Sequence, residues 1–350
     1  MPTWGEILKE LSATQRPGQR PDFDGVRRKY LVQLSQYTGR ATILYSSKFA
    51  APSPTSPELL SINDEDLQGL MEVTYGLLTN TNLDLILHSP GGSLEAAEAV
   101  VSYLRSNFNH IRVVVPNLAM SAATMISCAG DRILMGKHSF LGPIDPQFIL
   151  NTAVGQRTVS AEAIREQFAL AQKECKDPAK LGAWIPMLSQ YGPDVLVKCQ
   201  HACAMSKSLV QGWLEHYMFK GDSAAKRKAD KIAKWLAKHR HFKSHGRHIP
   251  RTELENKGLL IDQLEQDPKL EDLVLSVFHA TNHTFNGTGA VKIIENHEGR
   301  AFVKSANVNI QLPGIPQIAF QPIIPTMPTP VPPQPVPPTP TLPPPPPGTP

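Results

Sequence analysis

Apolar residues follow two rhythms along this chain, and the rhythms alternate. LDLILH (83–88) and IRVVVP (111–116) are short, nearly unbroken apolar runs rich in branched residues, each followed closely by a proline, and predict strands buried on both faces. Between them Leu94, Ala97, Val101 and Leu104 recur at helical spacing, leaving Glu95, Glu98 and Arg105 for water, with Ser93 as N-cap. Upstream, ATILYSS (41–47) predicts a strand between an amphipathic helix in VRRKYLVQLSQYTG and a second helix in SINDEDLQGLMEVTYGLL, capped near Asn63 or Asp64. Strands and helices in this alternation predict an α/β fold.

Downstream the period stays helical. SAEAIREQFALAQKECK opens on Ser160 as a cap, and a longer helix follows Gly192-Pro193. Ala225, Ala229, Ile232 and Leu236 mark another, and TELENKG and DPKLEDLVLSVFHA read as two short helices.

Two places carry candidate chemistry. Gly91 and Gly92 close the strand 83–88; without a β-carbon, a substrate carbonyl can approach their amides closely. Ser121 opens MSAATMISCAG, a small-residue helix directly after the strand 111–116, where free amides and the helix dipole favour a developing negative charge. Both lie at the carboxyl ends of neighbouring strands, where open α/β sheets build their sites. The pairing suggests a serine nucleophile beside a backbone anion cradle.

LDLILHSPGG, LAMSAATMI, MGKHSFLGPIDPQ, QYGP, SHGRHI and KIIENHEGRAF resemble the serine dehydrogenase proteinases, Clp-fold serine proteinases related to signal peptide peptidase A. The resemblance runs from Trp4 to Lys304. It implies a Clp/crotonase-like fold of repeated β-β-α units with additional C-terminal helices, and a serine endopeptidase working through an acyl-enzyme. In that reading Ser121 is the nucleophile, the amides of Gly92 and Ala122 form the oxyanion hole, and Gly91 and Ser93 contact a peptide or protein substrate. The late helices of such folds reach neighbouring subunits, which implies a homo-oligomer.

The general base stays open. The Clp protease proteolytic subunit carries a histidine one strand after the serine, but the matching LGPIDPQ has none, which argues against a Ser-His-Asp triad. Signal peptide peptidases use a lysine followed by aspartate, and Lys176 before Asp177 matches that context. A lysine base must be desolvated or crowded by positive charge to be neutral near pH 7. His138, Lys173 and Lys207 are the other candidates.

The 350 residues, 41% of them hydrophobic, suffice for one sizeable core. No apolar run reaches the length of a membrane span, and MPTWGEILKE has no signal-peptide core, so a cytoplasmic protein is expected. Cys128, Cys175, Cys199 and Cys203 make no disulfide framework, and Cys199 with Cys203 reads as core packing. No cofactor or metal is expected. Residues 220–251 hold 11 Lys or Arg against two Asp, a local +9 in a chain of net charge +4. That segment reads first as an amphipathic helix with a solvated basic face, with nucleic acid as a possible ligand, and His239, His241, His245 and His248 read as surface histidines.

The last 40 residues contain 18 of the 33 prolines, a composition that cannot pack a core and favours extended polyproline II, as a spacer or an arm docking a partner domain. The expected divisions are an N-terminal helix and first strand (1–60), a catalytic core (61–219), a basic helical accessory module (220–304) and the disordered proline-rich tail (305–350). Two other functions stay in view: a crotonase-like acyl-thioester enzyme using the same cradle, and a noncatalytic scaffold or nucleic-acid-associated protein.

Overall fold

A computed structural model describes residues 3–50, 55–79, 81–152 and 155–306. The proline-rich tail lies outside them. Residues 1–308 form one compact unit.

The centre is a seven-stranded sheet. Its parallel part is built from β1 (Ala41–Ser47), β2 (Thr81–His88), β3 (Phe108–Val115), with β4 (Leu118–Ala119) outside the sheet, and β5 (Arg132–Met135). Three short ladder pieces follow in sequence: β6 (Phe140–Leu141), the hairpin β7 (Gln147–Thr152) with β8 (Gly155–Ser160), and β9 (Ile249–Pro250). The central sheet is completed by β10 (Ile261–Gln263), β11 (Ala290–Asn296) and β12 (Ala301–Ser305), in the order β10-β5-β3-β2-β1-β11-β12. β11 and β12 are antiparallel additions on β1.

In chain order the helices are α1 (Trp4–Thr14), α2 (Phe23–Thr38), α3 (Pro57–Leu60), α4 (Glu65–Thr74), α5 (Leu94–Asn107) and α6 (Ala122–Cys128). After them come α7 (Ala161–Glu174), α8 (Leu181–Leu188), α9 (Val195–Trp213), α10 (Ala225–Leu236), α11 (His239–Phe242), α12 (Arg251–Lys257) and α13 (Pro268–Gly287). Among the described residues no helix is long and apolar enough to cross a membrane.

Strand alternation sorts the core into two layers. Leu83, Leu85, Leu87, Val113 and Val115 face α5, α6, α9 and α10, while Leu44, Ile86, Val114 and Leu134 face α2 and α13. Both faces are therefore covered, which is why these strands carry continuous apolar runs. The helix α13 differs most from its sequence reading. It is 20 residues long, starts at Pro268 with Asp267 accepting from the amides of Lys269 (3.1 Å) and Leu270 (3.0 Å), and forms one core layer together with α2. The segment 220–304 thus supplies three strands and a layer helix to the main unit, beyond the helices expected of it.

Several local expectations hold. Ser93 caps α5 by accepting from Ala96 N–H at 3.2 Å, and Ser160 caps α7 by accepting from Ala163 at 3.0 Å. On α10, Ala229, Ile232 and Leu236 are buried and the basic residues face out.

Candidate active site

The site forms where β2 and β3 end. Leaving β2, Ser89 pairs with Ala119 of β4: the Ser89 amide donates to Leu118 O (3.1 Å) and the Met120 amide to Ser89 O (3.0 Å). This ladder clamps the diglycine loop to the turn that carries Ser121. A β-carbon built on Gly91 would lie 2.6 Å from Met120 O, 2.7 Å from the Ser121 Cβ and 2.9 Å from the Ala122 amide nitrogen. Only glycine permits this approach, and Gly91 has φ 94°.

Ser121 itself has φ 52° and ψ −119°, one of two non-glycine residues with positive φ among those described. Such a backbone costs roughly 1–3 kcal/mol and persists where the surroundings over-determine it. Here it forms a sharp strand-to-helix turn between β4 and α6. The hydroxyl makes no capping bond to α6 and has no hydrogen-bond partner among the described residues.

Two amides beside it are also unspent. Ile62 pairs with Gly92 as a parallel bridge, its N–H donating to Gly91 O (2.8 Å) and its carbonyl accepting from Ser93 N–H (3.0 Å). That bridge consumes the neighbours' groups, so the Gly92 N–H and C=O point to the opposite edge, and neither has a partner among the described residues. The Ala122 N–H is the first amide of α6 and is likewise unpaired among them.

A three-stranded patch brings a third group to this edge. β4 pairs in parallel with β6, and β6 pairs antiparallel with β9. The residues after β4, those after β6 and those before β9 therefore share one end: Ser121, the stretch Gly142–Asp145 and the histidine-rich segment. A β-carbon built on Gly142 would sit 3.3 Å from the Ser121 amide nitrogen. Asp145, 1% exposed, receives the Nδ1 atoms of two histidines, His239 on Oδ2 and His245 on Oδ1, both at 2.8 Å, and Gln147 Nε2 at 2.9 Å. Its loop is fixed by Ile144, whose amide donates to Leu236 O (3.0 Å) and whose carbonyl accepts from the Ser206 hydroxyl (2.7 Å).

The other sequence candidates fall elsewhere. Lys176 is exposed beyond the end of α7, and Lys173 is exposed on that helix; neither has the desolvation a lysine base requires. Lys207 is half-buried on α9 beside Ser206. His138 follows β5; its Nε2 is buried without a partner among the described residues, and it lies in the field of His279 on α13, the layer opposite α6.

Sequence reasoning missed Asp145, His239 and His245. LGPIDPQ itself holds no histidine; the histidines on Asp145 come from the segment preceding β9. An acidic residue in an otherwise apolar GPIDP stretch, together with a histidine-dense segment, was the available signal.

Residues 62–166 match the family model of the ClpP-like SDH-type serine proteinases, the family that the sequence resembles. The matched region holds the diglycine loop, Ser121 and Asp145. Two uncharacterized proteins of Methanocaldococcus jannaschii are 37% and 40% identical to the chain over 86 residues, a quarter of its length. The match covers 30% of the length of each of these curated relatives.

Proposed function

We propose that the chain is a serine endopeptidase in which Ser121 attacks a peptide carbonyl and the Gly92 and Ala122 amides hold the resulting oxyanion. The observation that carries this reading is the left-handed Ser121 turn pressed against Gly91, with the hydroxyl and both amides without a partner among the described residues. The free Gly92 edge suits an extended peptide, which can pair with its N–H and C=O as an added strand.

In this reading the base is His245, oriented by Asp145, in place of Lys176. A carboxylate only accepts, so the Nδ1 atoms on Asp145 are the donors, and an imidazole held this way in its neutral form offers Nε2 as the proton acceptor. His245 is favoured over His239 because it leads into β9, which the patch ties to the Ser121 edge. Its Nε2 takes the hydroxyl proton as the Ser121 Oγ–carbon bond forms. It returns that proton to the leaving amine when the C–N bond breaks, and then activates the water that hydrolyses the acyl-enzyme. A crotonase-like reaction would use the two amides but has no need of a strained serine beside them.

Self-association accompanies this reading. The β7–β8 hairpin and its helices expose Ile149 (65%), Ile185 (62%) and Val197 (53%), which a second copy would cover.

Hydrolysis of an unstructured protein such as casein tests the assignment. The wild type should cut it and Ser121→Ala should not; equal cleavage by both rejects the nucleophile.

A further inference from the structure

A buried ionic cluster adjoins the segment 61–63, whose Ile62 pairs with the diglycine loop. Lys292 on β11 is 0% exposed, and its Nζ donates to both Asp66 oxygens at 2.9 Å and to the Ser61 carbonyl at 2.6 Å. Asp66, also 0% exposed, accepts in addition from the Tyr45 hydroxyl (2.6 Å) and from the Asn63 amide (3.0 Å). Lys304 on β12 closes the cluster, reaching Asn63 Oδ1 at 3.0 Å and Asp66 at 3.2 Å.

Burial pushes the Lys292 ammonium down from its ordinary value, and the adjacent Asp66 carboxylate opposes that shift. Lys292 and Asp66 are thus charges kept wholly buried, which is costly unless their hydrogen bonds are complete. What the charges contact supplies a reason for them. Ser61 is held by its carbonyl and Asn63 by its amide and side chain, and the residue between them is Ile62. Ile62 in turn holds the loop on both sides of Gly92, through Gly91 O at 2.8 Å and Ser93 N at 3.0 Å. A β-carbon on Gly92 would lie 2.2 Å from Ile62 O, so loop and support are in direct backbone contact.

We propose that Lys292 and Asp66 are positioning residues: through Ser61, Ile62 and Asn63 they fix where the Gly92 amide points, and so set the strength of the oxyanion hole. This rests on the peptidase reading of Ser121 and Gly92. Fixed donors stabilise a developing oxyanion because they need no reorganisation during reaction, and a small rotation of one amide removes that advantage.

The experiment uses the full chain and a fluorophosphonate probe, whose attack by serine also develops an oxyanion. The dependence of labelling rate on probe concentration separates probe binding from the limiting rate. Lys292→Met with Asp66→Leu removes both charges together, and Tyr45→Phe perturbs Asp66 alone in a milder way. The proposal predicts a folded double variant with a lowered Tm, because the Tyr45 hydroxyl, the Asn63 amide and the Ser61 carbonyl lose their buried partners, with near-wild-type probe binding and a limiting rate lowered on the order of 10-fold or more. Tyr45→Phe should lower the same rate by a smaller factor. Wild-type limiting rates in both variants, or in Tyr45→Phe alone should the double variant not fold, overturn the positioning role while leaving the serine assignment intact. A wild-type protein labelled no better than Ser121→Ala removes the peptidase reading and this inference with it.

Discussion

Asp145 Oδ1 and His245 Nδ1 lie 2.8 Å apart although 100 residues separate them in the chain. The carboxylate is buried, and the imidazole side chain is 27% exposed, so one ring nitrogen is fixed inside while the ring still reaches solvent. His239 holds the second oxygen in the same way. An acid that orients an imidazole by its Nδ1 is the arrangement a serine nucleophile needs for proton transfer.

His245→Ala and Asp145→Asn should each lower peptide hydrolysis by roughly 100-fold or more, since general-base catalysis typically contributes that much. Lys176→Ala should leave the rate near wild type. The opposite ranking, a silent His245→Ala and a crippled Lys176→Ala, returns the base to the lysine.

Gly91→Ala should remove activity. The added methyl would press on Met120 O, Ser121 Cβ and the Ala122 amide at 2.6–2.9 Å, at a backbone angle unfavourable to alanine. A loss of about 1–3 kcal/mol in stability should accompany it, measured by urea unfolding. An active, equally stable Gly91→Ala protein contradicts the close approach on which the site depends.

His88 should make the fold acid-sensitive. Its ring is 1% exposed, packed against Phe49 (4.7 Å) and Phe278 (5.1 Å), and burial pushes its pKa down from 6.5 to about 4. The unfolded chain therefore takes up a proton at a higher pH than the folded one. This contribution to stability is fully present above pH 6.5 and is lost as pH falls toward 4, amounting to roughly 3 kcal/mol. His88→Leu should flatten the decline in unfolding free energy across that window; an unchanged pH dependence rejects a buried neutral His88. Because the Nδ1 of His88 accepts from the Leu118 amide at 3.3 Å, next to the ladder that carries Ser121, activity should fall with stability.

Sedimentation velocity should find a species larger than the monomer, and Ile185→Asp with Ile149→Asp should shift it toward the monomer. A wild type that sediments as a monomer at micromolar concentration removes the self-association proposal.

Much of the fold could be read from local pattern. Strands 83–88 and 111–116 announce themselves because both of their faces are buried, the glycine pair because its backbone admits no β-carbon, and Ser121 because it opens a small-residue helix directly after a strand. The proposed base could not be found this way. Asp145 and His245 meet through the β4-β6-β9 patch, whose strands are two residues each and leave no periodic signature. The length of α13 was hidden for a related reason: histidine, threonine and asparagine in its second half break the apolar rhythm. Several of them nonetheless bury their bodies, as at His283, whose Nε2 bonds Trp4 O at 3.0 Å. Nor could the sequence reveal that Lys292 is wholly buried, since a lysine in a strand reads as an edge or a wet face.

Whether Ser121 is a nucleophile beside a backbone oxyanion hole is decided by mass spectrometry of the fluorophosphonate-treated protein. A single phosphonyl adduct is expected on the peptide containing Ser121, absent from Ser121→Ala and from boiled protein. An intact, folded wild type that carries no adduct, or carries it on another serine, contradicts that role for Ser121.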